Sequence, residues 1–164
     1  MNKPTNEIEA EALGIFLCDN NGKDLSEDDL VVLKEIFRET EYPGLRHTIA
    51  DTMIEAADES FYEDLILKIK ETIHTKFIGP LIYVAENYYC EKDLQVFVDI
   101  IILKDDMSML DAMFTIDAME QDRIPPLERM YAINKLNAHL DSLKETEEKY
   151  ELVKGIIDLL AGRK

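Results

Sequence analysis

His47 and Asp51 stand four residues apart, a spacing that on a helix sets both side chains on one face. Metal sites use such pairs, but two ligands are too few, and the chain has no His-Glu-x-x-His run. His74 precedes a helical pattern and His139 lies within one, each without an obvious ligand partner. The segment Asp19-Asn20-Asn21-Gly22-Lys23-Asp24 begins like a calcium loop and then departs from one. Lys23 takes the fifth ligand position, and the glycine comes two residues early. The one Gly-Lys pair has no Ser or Thr after it, so no phosphate-cradling loop is present. No Gly-x-Ser-x-Gly occurs, and neither Cys18 nor Cys90 has a basic neighbour arranged to activate it. Carboxylates are so abundant that pairing alone singles out no general acid or base. The expectation is a chain with no catalytic residues, no metal and no cofactor.

The two cysteines are far apart in helix-like contexts and read as reduced, buried thiols of a cytoplasmic protein rather than as a disulfide framework. The first eleven residues are polar and acidic, unlike a secretory signal. The most apolar window, Leu94 to Leu103, is too short to cross a bilayer. Charge carries more information: 35 acidic residues face 18 basic ones, for a net charge of −17. The excess is spread along the whole chain, with 11 acids and 4 bases in residues 1–44, 11 and 6 in 45–104, and 13 and 8 in 105–164. Such a surface repels phosphate backbones and attracts cationic partners, so no direct nucleic-acid or membrane binding is expected.

What must position any binding residue is a set of helices. Six glycines and five prolines fall mostly between apolar-periodic segments, and strand-like alternation does not persist. Ser26, followed by Glu27, Asp28 and Asp29, caps a helix carrying Leu30, Leu33, Ile36 and Phe37. Tyr42-Pro43-Gly44 stops it, and Leu45 to Ala57 is its partner. Ser60 caps a helix with Phe61, Leu65 and Ile69, followed by one from about Thr75 to Tyr88 with Pro80 near its start. Glu91–Leu103 and Met107–Met119 form a third pair. Pro125-Pro126 opens a longer helix with Leu127, Met130, Ile133, Leu136 and Leu140, and Glu147 to Ala161 closes the chain. Met53, Leu81, Ile82, Ala85, Val98, Ile101, Met113 and Ile116 are expected in the core.

These pairs recur. Asp29-Leu30, Asp64-Leu65 and Asp93-Leu94 each open an apolar run, 35 and then 29 residues apart. Leu45, Arg46, Ile49, Ala50 and Met53 have the spacing of the second helix of a HEAT repeat, and here the sequence resembles the HEAT-repeat family. The second copy keeps Phe77, Leu81, Ile82 and Ala85 with Ile78 where Arg would stand; the third keeps Ala112, Met113 and Ile116. The resemblance implies an all-α protein whose antiparallel hairpins stack as a short HEAT-like α-solenoid. Residues 1–164 then form one domain: 1–25 an N-terminal cap, 26–121 the repeats, and 122–164 C-terminal helices closing the stack. Armadillo-like or irregular helical arrays and a non-repeating bundle fit the same spacings.

HEAT-like stacks are binding scaffolds, and small members occur as immunity proteins of polymorphic-toxin systems. The resemblance, with the acidity, therefore implies a cytoplasmic protein that neutralises a basic toxin. A scaffold or adaptor taking a peptide in its groove is the alternative. A HEAT-like DNA glycosylase would need a basic groove, which the charge opposes. If second helices line the binding face, Asp51, Glu55, Glu86, Asp111 and Asp117 meet a cationic partner, with Tyr83 and Tyr88 as aromatic anchors.

Overall fold

The computed structural model describes residues 7–19, 24–144 and 148–163. They form nine α-helices and no strand: α1 (Glu7–Cys18), α2 (Glu27–Glu39), α3 (Pro43–Glu55), α4 (Tyr62–Thr72), α5 (Gly79–Ala85), α6 (Leu94–Leu103), α7 (Met107–Ala118), α8 (Pro126–Leu140) and α9 (Glu148–Leu160). The all-α expectation stands. Asn20 to Lys23, the centre of the calcium-like segment, lie outside the described residues. The chain divides into two compact units, residues 1–71 and 72–164.

In the first unit α1, α2 and α3 pack against one another. Helix α2 begins where the sequence places it. Ser26 Oγ accepts from the Asp29 amide, and the Asp29 carboxylate accepts from the Ser26 amide, a reciprocal cap that satisfies two donors of the first turn. Leu33, Ile36 and Phe37 turn inward from α2, and Leu45, Ile49, Ala50 and Met53 from α3. Gly14 lets α1 approach closely: a Cβ there would stand 3.3 Å from Leu45 Cδ1. Proline 43 does more than stop α2. It sits in the first turn of α3, where its missing N–H costs nothing.

Helix α3 ends with two reverse bonds, Asp58 N to Met53 O (3.2 Å) and Ala57 N to Ile54 O (2.9 Å), the Schellman pattern. Its left-handed position is held by Ala57, at φ 53°. Helix α9 closes in the same way through Arg163 N to Asp158 O and Gly162 N to Leu159 O, but there a glycine takes the position. Alanine in this region bears a Cβ clash that glycine lacks. Ala57→Gly should therefore raise stability by roughly 0.5–1 kcal/mol, read as a higher urea midpoint at unchanged slope. An unchanged or lower midpoint would show that the alanine carries no strain.

In the second unit α7 packs on α5, α6 and α9, and α8 packs on α6 and α9. Helix α6 buries Leu94, Val96, Phe97, Val98, Ile100 and Ile101, as a helix apolar on nearly every side must. All eight residues expected in the core are buried.

Four local expectations need correction. The cap before α4 is Asp58, whose Oδ1 accepts from the Ser60 amide; a 3₁₀ turn, Glu59–Phe61, precedes the helix. The segment read as Thr75–Tyr88 is helical only over Gly79–Ala85. Upstream, the Pro80 ring would clash with the carbonyl four residues before it. Downstream, the Asn87 side chain donates through Nδ2 to the Tyr83 and Val84 carbonyls where the helix ends. Phe77 consequently lies outside the helix and is exposed. In α8, Ala132 and Leu136 are the buried pair, while Leu127 and Met130 face solvent. The start of α8 is anchored by polar contacts instead: Arg129 donates to the carbonyls of Leu160 and Gln121.

Candidate partner-binding face

The residues expected to bind a partner fall on α3 in the first unit and on or beside α5 and α7 in the second. On α3, Leu45, Ile49, Ala50 and Met53 occupy the inner side, which leaves His47, Thr48, Asp51 and Glu55 on the outer one. His47 Nε2 lies 3.2 Å from Asp51 Oδ2, both side chains nearly half exposed. The pair is a surface contact of helical neighbours, worth a few tenths of a kcal/mol when the histidine is charged. Arg46, which carries much of the repeat resemblance, is buried, and its Nη2 donates to the Glu41 carbonyl.

In the second unit α5 and α7 lie against each other. Thr115 Oγ1 donates to Glu86 Oε1 at 3.0 Å, tying the end of α5 to the last turn of α7. Gly79 makes room for Asp111: a Cβ at position 79 would stand 2.6 Å from Asp111 Oδ2. Partial burial raises the Asp111 pKa above the usual carboxylate value, with the charge of Asp106 adding to it. Tyr83 is exposed beside Glu86, and Asp117 is exposed on the last turn of α7. Tyr88 differs from Tyr83. It is half-buried in the turn after α5 with its hydroxyl oxygen beneath the surface. Tyr83 is therefore the ring turned to solvent.

Sequence reasoning missed the apolar part of this face. Phe114 is 64% exposed and Met107 66%, on the same helix as Asp111 and Asp117. Met107, Leu110 and Phe114 follow i, i+3, i+7 spacing, a second stripe beside the buried one of Met109, Ala112, Met113 and Ile116. A helix with two apolar stripes was visible in the sequence, and it marks an element with a second surface to cover.

Both thiols are free. Burial pushes Cys90 up to about 12, with the charges of Glu91, Glu86 and Asp93 adding to it, and burial also raises Cys18. Thiols held protonated are poor nucleophiles and poor metal ligands. Among the described residues no group of three or more His, Cys, Asp or Glu is arranged to hold a metal ion. Among them, too, no helix is long and apolar enough to cross a membrane.

The described residues form an all-α protein with exposed aromatic and acidic side chains on α3, α5 and α7. No protein-family model, curated protein or solved structure matches the chain.

Proposed function

We propose that the chain is a non-catalytic binding protein whose helices pair as HEAT-like hairpins and whose second-helix faces take a cationic protein. In its most specific form it is a cytoplasmic immunity protein occupying a basic bacterial toxin. The pairing is supported by α6, which meets both α7, its neighbour in sequence, and α8, the helix two along. The observation that carries the binding reading is the company of Tyr83 and Phe114 with Glu86, Asp111 and Asp117 on α5 and α7. Acids speed encounter with a positive partner, and exposed rings supply desolvated anchors that slow its departure.

The variant that tests this avoids Asp111 and Glu86, which the fold uses. Asp51→Lys, Glu55→Lys and Asp117→Lys together should slow association with a partner captured from producing cells by ~10-fold or more at low salt, with the difference shrinking as salt screens it. Reversing the exposed Glu63, Asp122 and Asp141 makes the same change in net charge and should slow it much less. Equal slowing by both triples would leave only long-range attraction, and an unchanged rate would place the partner elsewhere. A partner with the activity of a nuclease, inhibited on binding, distinguishes the immunity role from that of an adaptor.

A further inference from the structure

Within the second unit, α7 and α9 pack side by side, and an open cleft of about 490 Å³ lies at their N-terminal turns. Its apolar lining includes Met107, Leu110 and Leu152; Asp105, Asp106 and Glu148 supply acids. The volume falls in the range of sites that bury a small ligand or a few side chains, about 300–1,000 Å³.

The cation at the cleft, Lys149, is already committed. Its Nζ donates to Asp105 Oδ1 and to the Lys104 carbonyl, both at 2.7 Å, and lies 3.4 Å from the Ile102 carbonyl. That ammonium closes the C-terminal end of α6 and neutralises one acid. Among the described residues no cation pairs with Asp106 or Glu148. Asp106 Oδ1 caps α7 by accepting from the Ser108 amide at 2.9 Å, which leaves its Oδ2 for a ligand cation, and Asp111 lies a turn further along α7. The surroundings are negative enough that the Asp106 charge adds to burial in raising Asp111. A second copy of the chain, also at net −17, would meet like charge here, and so would an anionic lipid surface.

Resting on the reading of a cationic protein partner, we propose that this cleft receives an amphipathic, basic helix of that partner. Its apolar face would sit on Met107, Leu110 and Leu152, and its lysines or arginines would reach Asp106 and Glu148. The lining decides the form of the ligand. Its walls are the first turns of α7 and α9 with Asp105 and Asp106 ahead of α7, and among the described residues no strand offers an edge for an extended peptide to pair with. The groove between two packed helices instead fits the side-chain ridge of a third. Methionine in the lining adapts to the shape of what enters.

The test uses two labelled peptides of about 18 residues, five helical turns, and fluorescence anisotropy with the full chain. One carries Leu and Lys at helical spacing with a single apolar face. The other contains the same residues reordered so that no helical face is apolar. The ordered peptide should bind ~10-fold or more tightly than the reordered one, a difference of about 1.4 kcal/mol. Met107→Gln with Leu152→Gln should remove most of that advantage without changing charge. Met107→Gln alone, at an exposed position, gives the same direction if the double variant folds poorly. Leu127→Gln with Met130→Gln, exposed on α8, should leave binding within about twofold. Equal, salt-sensitive binding of both peptides would overturn the helix-in-cleft proposal and leave the cationic-partner reading intact. Binding of neither would count against both. An advantage that survives the cleft variants but falls with the α8 pair would move the site to α8 and overturn the assignment made here.

Discussion

Phe37→Ala should cost about 3–5 kcal/mol, the range for emptying a fully buried aromatic site. Phe37 has no exposed surface, and its ring meets that of Phe61, also fully buried, edge-on at a centroid distance of 4.7 Å and an interplanar angle of 71°. The loss combines removed apolar contact, the cavity left behind, and an edge-to-face term of about 0.5–1.5 kcal/mol. Little can collapse into the space. Leu33 and Ile36 on the same helix are themselves packed inward, and Phe61 lies on a tight turn fixed by the Asp58 cap. With total stabilities commonly about 5–15 kcal/mol, the loss is a large fraction of what holds the protein folded. Phe37→Leu keeps most of the volume and should cost less than half as much. Urea unfolding followed by circular dichroism reads both. A loss below about 1 kcal/mol for the alanine variant would mean that the site relaxes, or that unfolding begins elsewhere.

The parts of this fold legible in the sequence are those governed by a single helix. Ser26 and Asp29 announce their reciprocal cap by spacing alone, and the stripe of Leu33, Ile36 and Phe37 follows from 3.6-residue periodicity. The nearly continuous apolar run of α6 announces burial. What escaped depends on contacts distant in sequence. Asp58 outcompetes Ser60 as the cap because Lys34, from another helix, joins it, and no local pattern contains that lysine. Leu127 and Met130 satisfy helical spacing as well as Ala132 and Leu136 do; which pair faces inward depends on where α6 and α9 lie. The candidate face divides in the same way. Spacing was enough to place Asp51 and Glu55 on the outer side of α3. It could not separate Tyr83, turned out, from Tyr88, with its hydroxyl turned in, nor reveal that Gly79 shelters Asp111. The cleft beside α7 joins residues some 40 positions apart in the chain, which periodicity cannot bring together.

Asp58→Ala should destabilise the protein by roughly 2–3 kcal/mol near neutral pH, from a lost cap and a stranded cation. The Asp58 carboxylate lies between three donors. Oδ1 accepts from the Ser60 amide at 3.0 Å and from Ser60 Oγ at 2.6 Å, and Oδ2 accepts from Lys34 Nζ at 2.8 Å. Both charged side chains are largely covered, at 12% and 16% exposure, so water replaces neither partner well. Removing the carboxylate frees the start of the 3₁₀ turn and leaves the Lys34 ammonium with Ser60 Oγ. Asp58→Asn keeps an acceptor for the Ser60 amide and should lose about half as much. Burial opposes ionisation of Asp58, but the hydrogen bonds from Lys34 and Ser60 outweigh it and hold the pKa below the usual carboxylate value. A depressed folded-state pKa means that the unfolded chain takes up the proton first. The contribution is therefore fully present above the unfolded value of about 3.9 and is lost as pH falls through the lower folded value. The stability difference between the natural chain and Asp58→Ala should stay flat from neutral pH down to about pH 5 and narrow below about pH 4. Urea midpoints at several pH values measure it. A difference that persists undiminished at the lowest pH at which the protein folds would show that Asp58 acts through its shape and hydrogen bonding, with its charge irrelevant.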